Sequence, residues 1–146
     1  MKRNRGFTLI ELIVVLFIIA VSSAVIFLNI RTNANINNKK FISYFIRIIE
    51  KARTNSIVND TETIVVINPE KRLIYIKGSK KDKVSIPKEI TITEEFIVQK
   101  GNLFYIYFFH NGSSSGANLN FYAKNFSKKV IIDKVTGFVK VVDIEV

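Results

Sequence analysis

A chain of 146 residues has room for one domain and a terminal segment, but not for two independent cores. It carries no cysteine and a single histidine, His110, which excludes thiol catalysis, cysteine-based metal sites and a multi-histidine zinc site while leaving the redox compartment open. The formal charge of +10 suits contact with anionic lipid, nucleic acid or acidic partners, although its plainest reading is a solvated, lysine-rich surface.

The hydrophobic content of 48% averages two different populations. Met1-Lys2-Arg3-Asn4-Arg5-Gly6 is basic and polar, and residues 7–28 are almost wholly apolar. As a helix that run measures roughly 33 Å, enough to cross a hydrocarbon core. Lys2, Arg3 and Arg5 precede it, so the positive-inside rule places the N-terminus in the cytoplasm and the rest of the chain outside it. A secretory signal would be shorter and end at a small-residue cleavage site. Ser22-Ser23-Ala24 imitates such a site only loosely, and further apolar residues follow it. Glu11 is the odd member of the run. A carboxylate deep in an apolar helix costs on the order of 3 kcal/mol in a bilayer, and a simple anchor has no reason to keep it.

Gly6-Phe7-Thr8-Leu9-Ile10-Glu11, behind basic residues and ahead of a long apolar run, resembles the class III leader of type IV pilins and type II secretion pseudopilins. The resemblance implies cleavage between Gly6 and Phe7 by a prepilin peptidase and N-methylation of the new terminus at Phe7. It makes Glu11 the fifth residue of the mature chain, the family's acidic position. The physics is compatible, because cleavage creates an amine at Phe7 and a carboxylate in apolar surroundings needs a cationic partner. In a bundle of such helices Glu11 of one subunit meets the amine of a neighbour and fixes axial register. Many major pilins carry a proline near the membrane exit. This segment has none, so a helix straighter than theirs is expected.

From Arg31 the composition turns polar, and the asparagines of Thr32-Asn33-Ala34-Asn35-Ile36-Asn37-Asn38 predict a weak helical stretch or a local break. Helical spacing resumes with Phe41, Phe45, Ile48, Ile49, Ala52, Ser56 and Ile57, while Arg47, Lys51, Asn55 and Asn59 lie opposite. This amphipathic stripe is expected to pack on a sheet, and Asn59-Asp60 to end it. Strands are then expected at 63–67 and 73–76, joined by the turn Asn68-Pro69-Glu70-Lys71. Lys77-Gly78-Ser79-Lys80-Lys81-Asp82-Lys83 reads as an exposed loop, with further strands at 90–93, 104–109, 118–122, 129–132 and 138–142. One long helix against antiparallel strands is an α+β fold.

The C-terminal half is similar to the close of the GspH/FimT pseudopilins. An aromatic strand ending Phe108-Phe109 leads into a Gly-Ser-rich turn at 111–116. A strand at 118–121 follows, then Lys129-Val130-Ile131-Ile132 and a last hairpin at Thr136-Gly137-Phe138. The passage from Ala52-Arg53-Thr54-Asn55-Ser56 into Ile64-Val65-Val66 also looks like theirs. The resemblance implies a type IV pilin-like domain: a leader at 1–6, a transmembrane and assembly helix at 7–30, its amphipathic continuation at 31–59, and a β-rich globular domain at 60–146. It also implies a single-pass inner-membrane protein whose globular domain is periplasmic or otherwise extracytoplasmic. Its partners would be other pseudopilins or pilins, the prepilin peptidase and an inner-membrane assembly platform, with no cofactor.

Other constellations weigh little. Gly112 to Gly116 is followed by Ala117-Asn118, not by the lysine and hydroxyl of a phosphate loop, and reads as turn chemistry. His110 lies close to Ser113, Ser114 and Ser115, with Asp133 the nearest following acid, but no hydrolase constellation is evident. Asp60, Glu62, Glu94 and Glu95 lack calcium-loop spacing and read as solvated. No catalytic residue and no metal site is expected. Lys124, Lys128 and Lys129, near Tyr122 and Phe126, offer backbone charge and stacking to DNA, a role with precedent among FimT-like minor pilins. The leading expectation is a minor pseudopilin of a type II secretion system or a related filament; the alternative is a minor pilin that binds DNA for uptake.

Overall fold

The computed structural model describes the backbone of residues 9–144, and the side chains of that span except 22–36. Chain contacts separate two units, Met1–Ile36 and Asn37–Val146. A single helix, α1 (Leu9–Val58), runs through the division. The asparagine-rich stretch therefore does not break it. Each asparagine costs only about 0.6 kcal/mol relative to alanine, too little to interrupt a helix supported on either side.

In the second unit the buried face of α1 comprises Asn38, Phe41, Ile42, Phe45, Ile48, Ile49, Ala52 and Ser56. The periodicity is that of the sequence stripe, with two corrections. Asn38 and Ile42 join it, and Ile57 leaves it at 44% exposure because the helix ends one residue later. Ser56 tolerates full burial because its hydroxyl donates to Arg53 O at 2.7 Å.

The strands form two antiparallel sheets instead of one. The first has the order β3-β2-β1-β6-β5, built from β1 (Thr63–Asn68), β2 (Leu73–Ile76), β3 (Lys83–Ser85), β5 (Val98–Lys100) and β6 (Leu103–Phe108). The second has the order β4-β7-β8-β9, from β4 (Thr91–Phe96), β7 (Ala117–Ala123), β8 (Phe126–Ile132) and β9 (Val139–Asp143). The short strands β3 and β5 were not expected. Each is three residues long, at a sheet edge, and too brief to show alternation.

One continuous core joins α1 to both sheets. Val65, Ile67, Ile74, Ile76, Ile106 and Phe108 point inward from the first sheet, and Leu119, Phe121, Val130 and Ile132 from the second. Phe121 is the keystone between helix and second sheet: its ring centroid lies 5.3 Å from that of Phe45 and 5.7 Å from that of Phe41. Tilted and edge-on aromatic contacts of this kind add about 0.5–1.5 kcal/mol beyond the area they bury.

Two arginines tie loops down. The β1–β2 turn forms as expected, with Lys71 N donating to Asn68 Oδ1 at 2.8 Å, and it leaves Arg72 at φ +50°. From there the Arg72 guanidinium donates to Ile86 O at 3.2 Å, to Ile90 O at 2.8 Å and to Pro87 O, fixing the connection between β3 and β4.

Candidate assembly helix and its surroundings

Glu11 lies close to the start of the described part of α1. Around it every described side chain as far as Val21 is exposed, including Leu9 at 78% and Ile10 at 71%. A helix apolar on all sides needs apolar surroundings, whether lipid or neighbouring helices. Among the described residues no helix is long and apolar enough to cross a membrane. Gly6 and Phe7 lie outside the described residues, as do the side chains of residues 22–28 at the end of the apolar run.

At its other end α1 is locked by Arg53. Its Nε–H is shared between Thr136 O at 2.8 Å and Gly112 O at 3.2 Å, and its guanidinium carbon lies 4.2 Å from the centre of the Phe138 ring. Gly112 belongs to the β6–β7 connection and Thr136 to the β8–β9 hairpin, so one side chain joins two turns to the helix. The hairpin is shaped by Asp133, whose Oδ1 accepts from Val135 N, Thr136 N and the Thr136 hydroxyl at 2.7–2.9 Å. Those bonds, the Thr136 N–H first among them, hold the Asp133 carboxyl below the usual carboxylate range.

The lysines singled out for DNA are not gathered on one surface. Lys124 is exposed in the β7–β8 turn. Lys128 and Lys129 are adjacent in β8 and point to opposite faces of the sheet. Lys128 pairs with Asp143, and Lys129 meets Glu95 Oε2 at 2.6 Å. Glu95 sits where the β4–β7 register shifts, and its other oxygen accepts from Asn120 Nδ2 at 3.0 Å. It is therefore engaged, not merely solvated, and the Lys129 ammonium chiefly lowers its carboxyl. A third pair, Lys51 Nζ to Asp82 Oδ1 at 2.6 Å, fastens the lysine-rich loop to α1, and Ser79 Oγ donates to Asp82 Oδ2 at 2.7 Å. Lys51, followed by Ser79, holds Asp82 below the usual carboxylate range.

The prokaryotic N-terminal methylation motif matches residues 1–27. No curated protein shows significant sequence similarity to the chain. Among solved structures, the minor pseudopilin EpsH from the type 2 secretion system of Vibrio cholerae is similar at a TM-score of 0.54 and 12% identity, over 70% of this chain and 94% of that one. The type IV minor pilin FimU of Pseudomonas aeruginosa is similar in one crystal form at 0.51 and 10% identity, over 71% and 91% of the two chains. A second crystal form of FimU gives 0.50 and 11%, over 75% and 91%. The fold is type IV pilin-like.

Within this pilin-like domain the serines near His110 are structural. Ser113 Oγ donates to Asn111 Oδ1, Ser114 Oγ to the backbone oxygen of Asp133, and Ser115 Oγ accepts from Tyr107 N. The Asp133 carboxylate serves its own hairpin. These contacts describe a built turn, with His110 exposed beside it. Among the described residues no cluster of three or more potential metal-ligating side chains exists. The clamps made by Arg53 and Arg72 had no signature in the sequence, because most of their acceptors are backbone carbonyls distant along the chain.

Proposed function

We propose that this protein is a non-catalytic filament subunit, a GspH-like minor pseudopilin of a type II secretion system or a related type IV filament. Prepilin peptidase removes residues 1–6, and Phe7 becomes the methylated N-terminus. The apolar helix holds the subunit in the inner membrane until an assembly platform draws it into a helical bundle. There Glu11 meets the terminal amine of a neighbour, and the globular domain faces outward toward other pseudopilins.

The observation that carries this reading is a coincidence within one chain. An N-terminal methylation motif over residues 1–27 precedes a domain that covers nearly all of a minor pseudopilin's fold. Either alone is weak. The alternative in which Lys124, Lys128 and Lys129 hold DNA is not favoured, since two of them are paired with carboxylates and face opposite ways.

The test is incorporation. In cells that make the cognate filament, tagged protein is expected in sheared filament fractions, whereas Glu11→Ala is expected to be processed and membrane-bound but depleted from them at least about tenfold. Equal incorporation of the variant would remove the assembly role assigned to Glu11. Absence of the parent protein from filaments would remove the whole reading.

A further inference from the structure

Within its sheet β3 has a neighbour on one side only, β2. Beside it a groove of about 400 Å³ opens against the exposed flank of α1. Lys83, Val84 and Ser85, three consecutive residues, all line that groove. Successive side chains of a strand point to opposite faces, so a groove that touches all three meets the strand edge-on. The ladder agrees. Ile76 N donates to Asp82 O at 3.0 Å and Ile86 N to Arg72 O at 2.8 Å, with Val84 opposite Ile74 between them. Bonded and non-bonded pairs alternate in an antiparallel ladder, so residues 82, 84 and 86 turn their main chain toward β2. Lys83 N is taken by Lys81 O at 3.1 Å, which leaves Lys83 O, Ser85 N and Ser85 O facing the free side.

The groove is apolar at its floor and basic at its rim. Buried Ile48 and half-buried Val84 form the floor. Arg47, Lys51, Lys81 and Lys83 stand exposed around it, and the Arg47 guanidinium lies 5.9 Å from the centre of the Tyr44 ring. Asp82 is the acid that lines the groove, and both its oxygens are engaged, one by Lys51 Nζ at 2.6 Å and the other by Ser79 Oγ at 2.7 Å. Arg47, Lys81 and Lys83 make no ion pair among the described residues. Glu50 lies about 100° round the helix from Lys51. Glu62 belongs to a neighbouring depression beside Lys77, and neither glutamate lines the groove.

We propose that this groove takes an extended acidic peptide of a partner protein, added as a strand to the free edge of β3. Arg47, Lys81 and Lys83 meet its carboxylates, and Ile48 and Val84 its apolar side chains. Main-chain groups at an open edge bind an extended chain, and the side chains around the edge choose which one. Lysines on an edge strand repel a second copy of the same edge, so self-pairing is disfavoured. The same lysines attract a strand of opposite charge. A phosphate backbone would meet the cations but leave the edge groups of Ser85 and the apolar floor unmatched. At roughly 3.3 Å per residue, β3 offers a register of about three residues. The site lies wholly in the second unit and stands whether or not the chain joins a filament.

The test uses the full chain in detergent and a fluorescein-labelled hexapeptide of alternating aspartate and valine, read by anisotropy at low salt. Binding is expected, together with slower hydrogen exchange over residues 83–85. A second peptide of equal charge, with proline in place of each valine, lacks the strand's donors and is expected to bind at least about tenfold more weakly. Arg47→Glu and Lys83→Glu, both at exposed positions, are each expected to weaken binding at least about fivefold, and Lys124→Glu to have no effect. No binding of the first peptide overturns the proposal. Equal binding of the two peptides also overturns it, because attraction by charge alone then suffices. So does insensitivity to both Arg47→Glu and Lys83→Glu, or a loss on Lys124→Glu as large as theirs, either of which places the peptide elsewhere. Displacement by an oligothymidylate at lower concentration than by unlabelled peptide marks a polyanion surface and overturns it as well.

Discussion

Arg53 holds the end of the domain together because two carbonyls from separate turns accept from a single charged donor. Removing it strands both acceptors and uncovers the Phe138 ring, so Arg53→Ala should cost about 1–3 kcal/mol in chemical denaturation. A double-mutant cycle with Phe138→Ala should show about 0.5–1 kcal/mol of coupling. Gly137, next to Thr136, makes a sharper case. It sits at φ +67°, and a Cβ there would lie 2.3 Å from Gly112 O, which is backbone and cannot yield cheaply. Gly101, at φ +61°, has open space around the same atom. Gly137→Ala should therefore destabilise by more than about 2 kcal/mol, and Gly101→Ala by about 1 kcal/mol. Equal effects on the melting temperature would mean that backbone conformation alone, and not the close approach of two turns, explains the glycine.

At the scale of elements, the amphipathic half of α1 is the main packing surface. Phe45 is fully buried between Phe41 and Phe121, so Phe45→Ala should cost about 3–5 kcal/mol. Asn37, exposed on the same continuous helix, should give the opposite sign: Asn37→Ala should stabilise by about 0.5 kcal/mol through helix propensity. The helix stripe and the longer strands were legible because burial on one face leaves a period in the sequence. Phe41, Phe45, Ile48, Ile49 and Ala52 display it for the helix, whereas β6 was legible as a continuous aromatic and apolar run whose alternating burial only the structure shows. What escaped was decided by partners far along the chain. The division into two sheets depends on β1 pairing with β6 and β4 with β7, and neither pairing is encoded locally. The asparagine run left a weak helical stretch and a break both open, because propensity alone does not weigh the flanking helix, and the backbone there is helical. Glu95 looked solvated because the register shift that aims it at Asn120 and Lys129 is invisible in Glu94-Glu95-Phe96.

For the molecule as a whole, the charge excess is distributed with a purpose at its carboxylates. Asp82, Glu95 and Asp133 are all held below the usual range in the folded state. A lowered folded value means that the contribution is complete above the unfolded value, near about 4, and is lost as pH falls through the folded one. The melting temperature should thus be flat from neutral pH to about 5 and fall below about 4. Asp82→Asn and Asp133→Asn should lower the neutral plateau and shallow the acid decline. An unchanged acid profile in both variants would contradict the assignment.

The leading claim is that the chain is processed at its start before it assembles. Mass spectrometry of the protein recovered from cells with and without prepilin peptidase tests that most directly. Where the peptidase is present the chain is expected to begin at Phe7 and to carry one N-methyl group, and where it is absent to begin at Met1. A chain that begins at Met1 in both would contradict it.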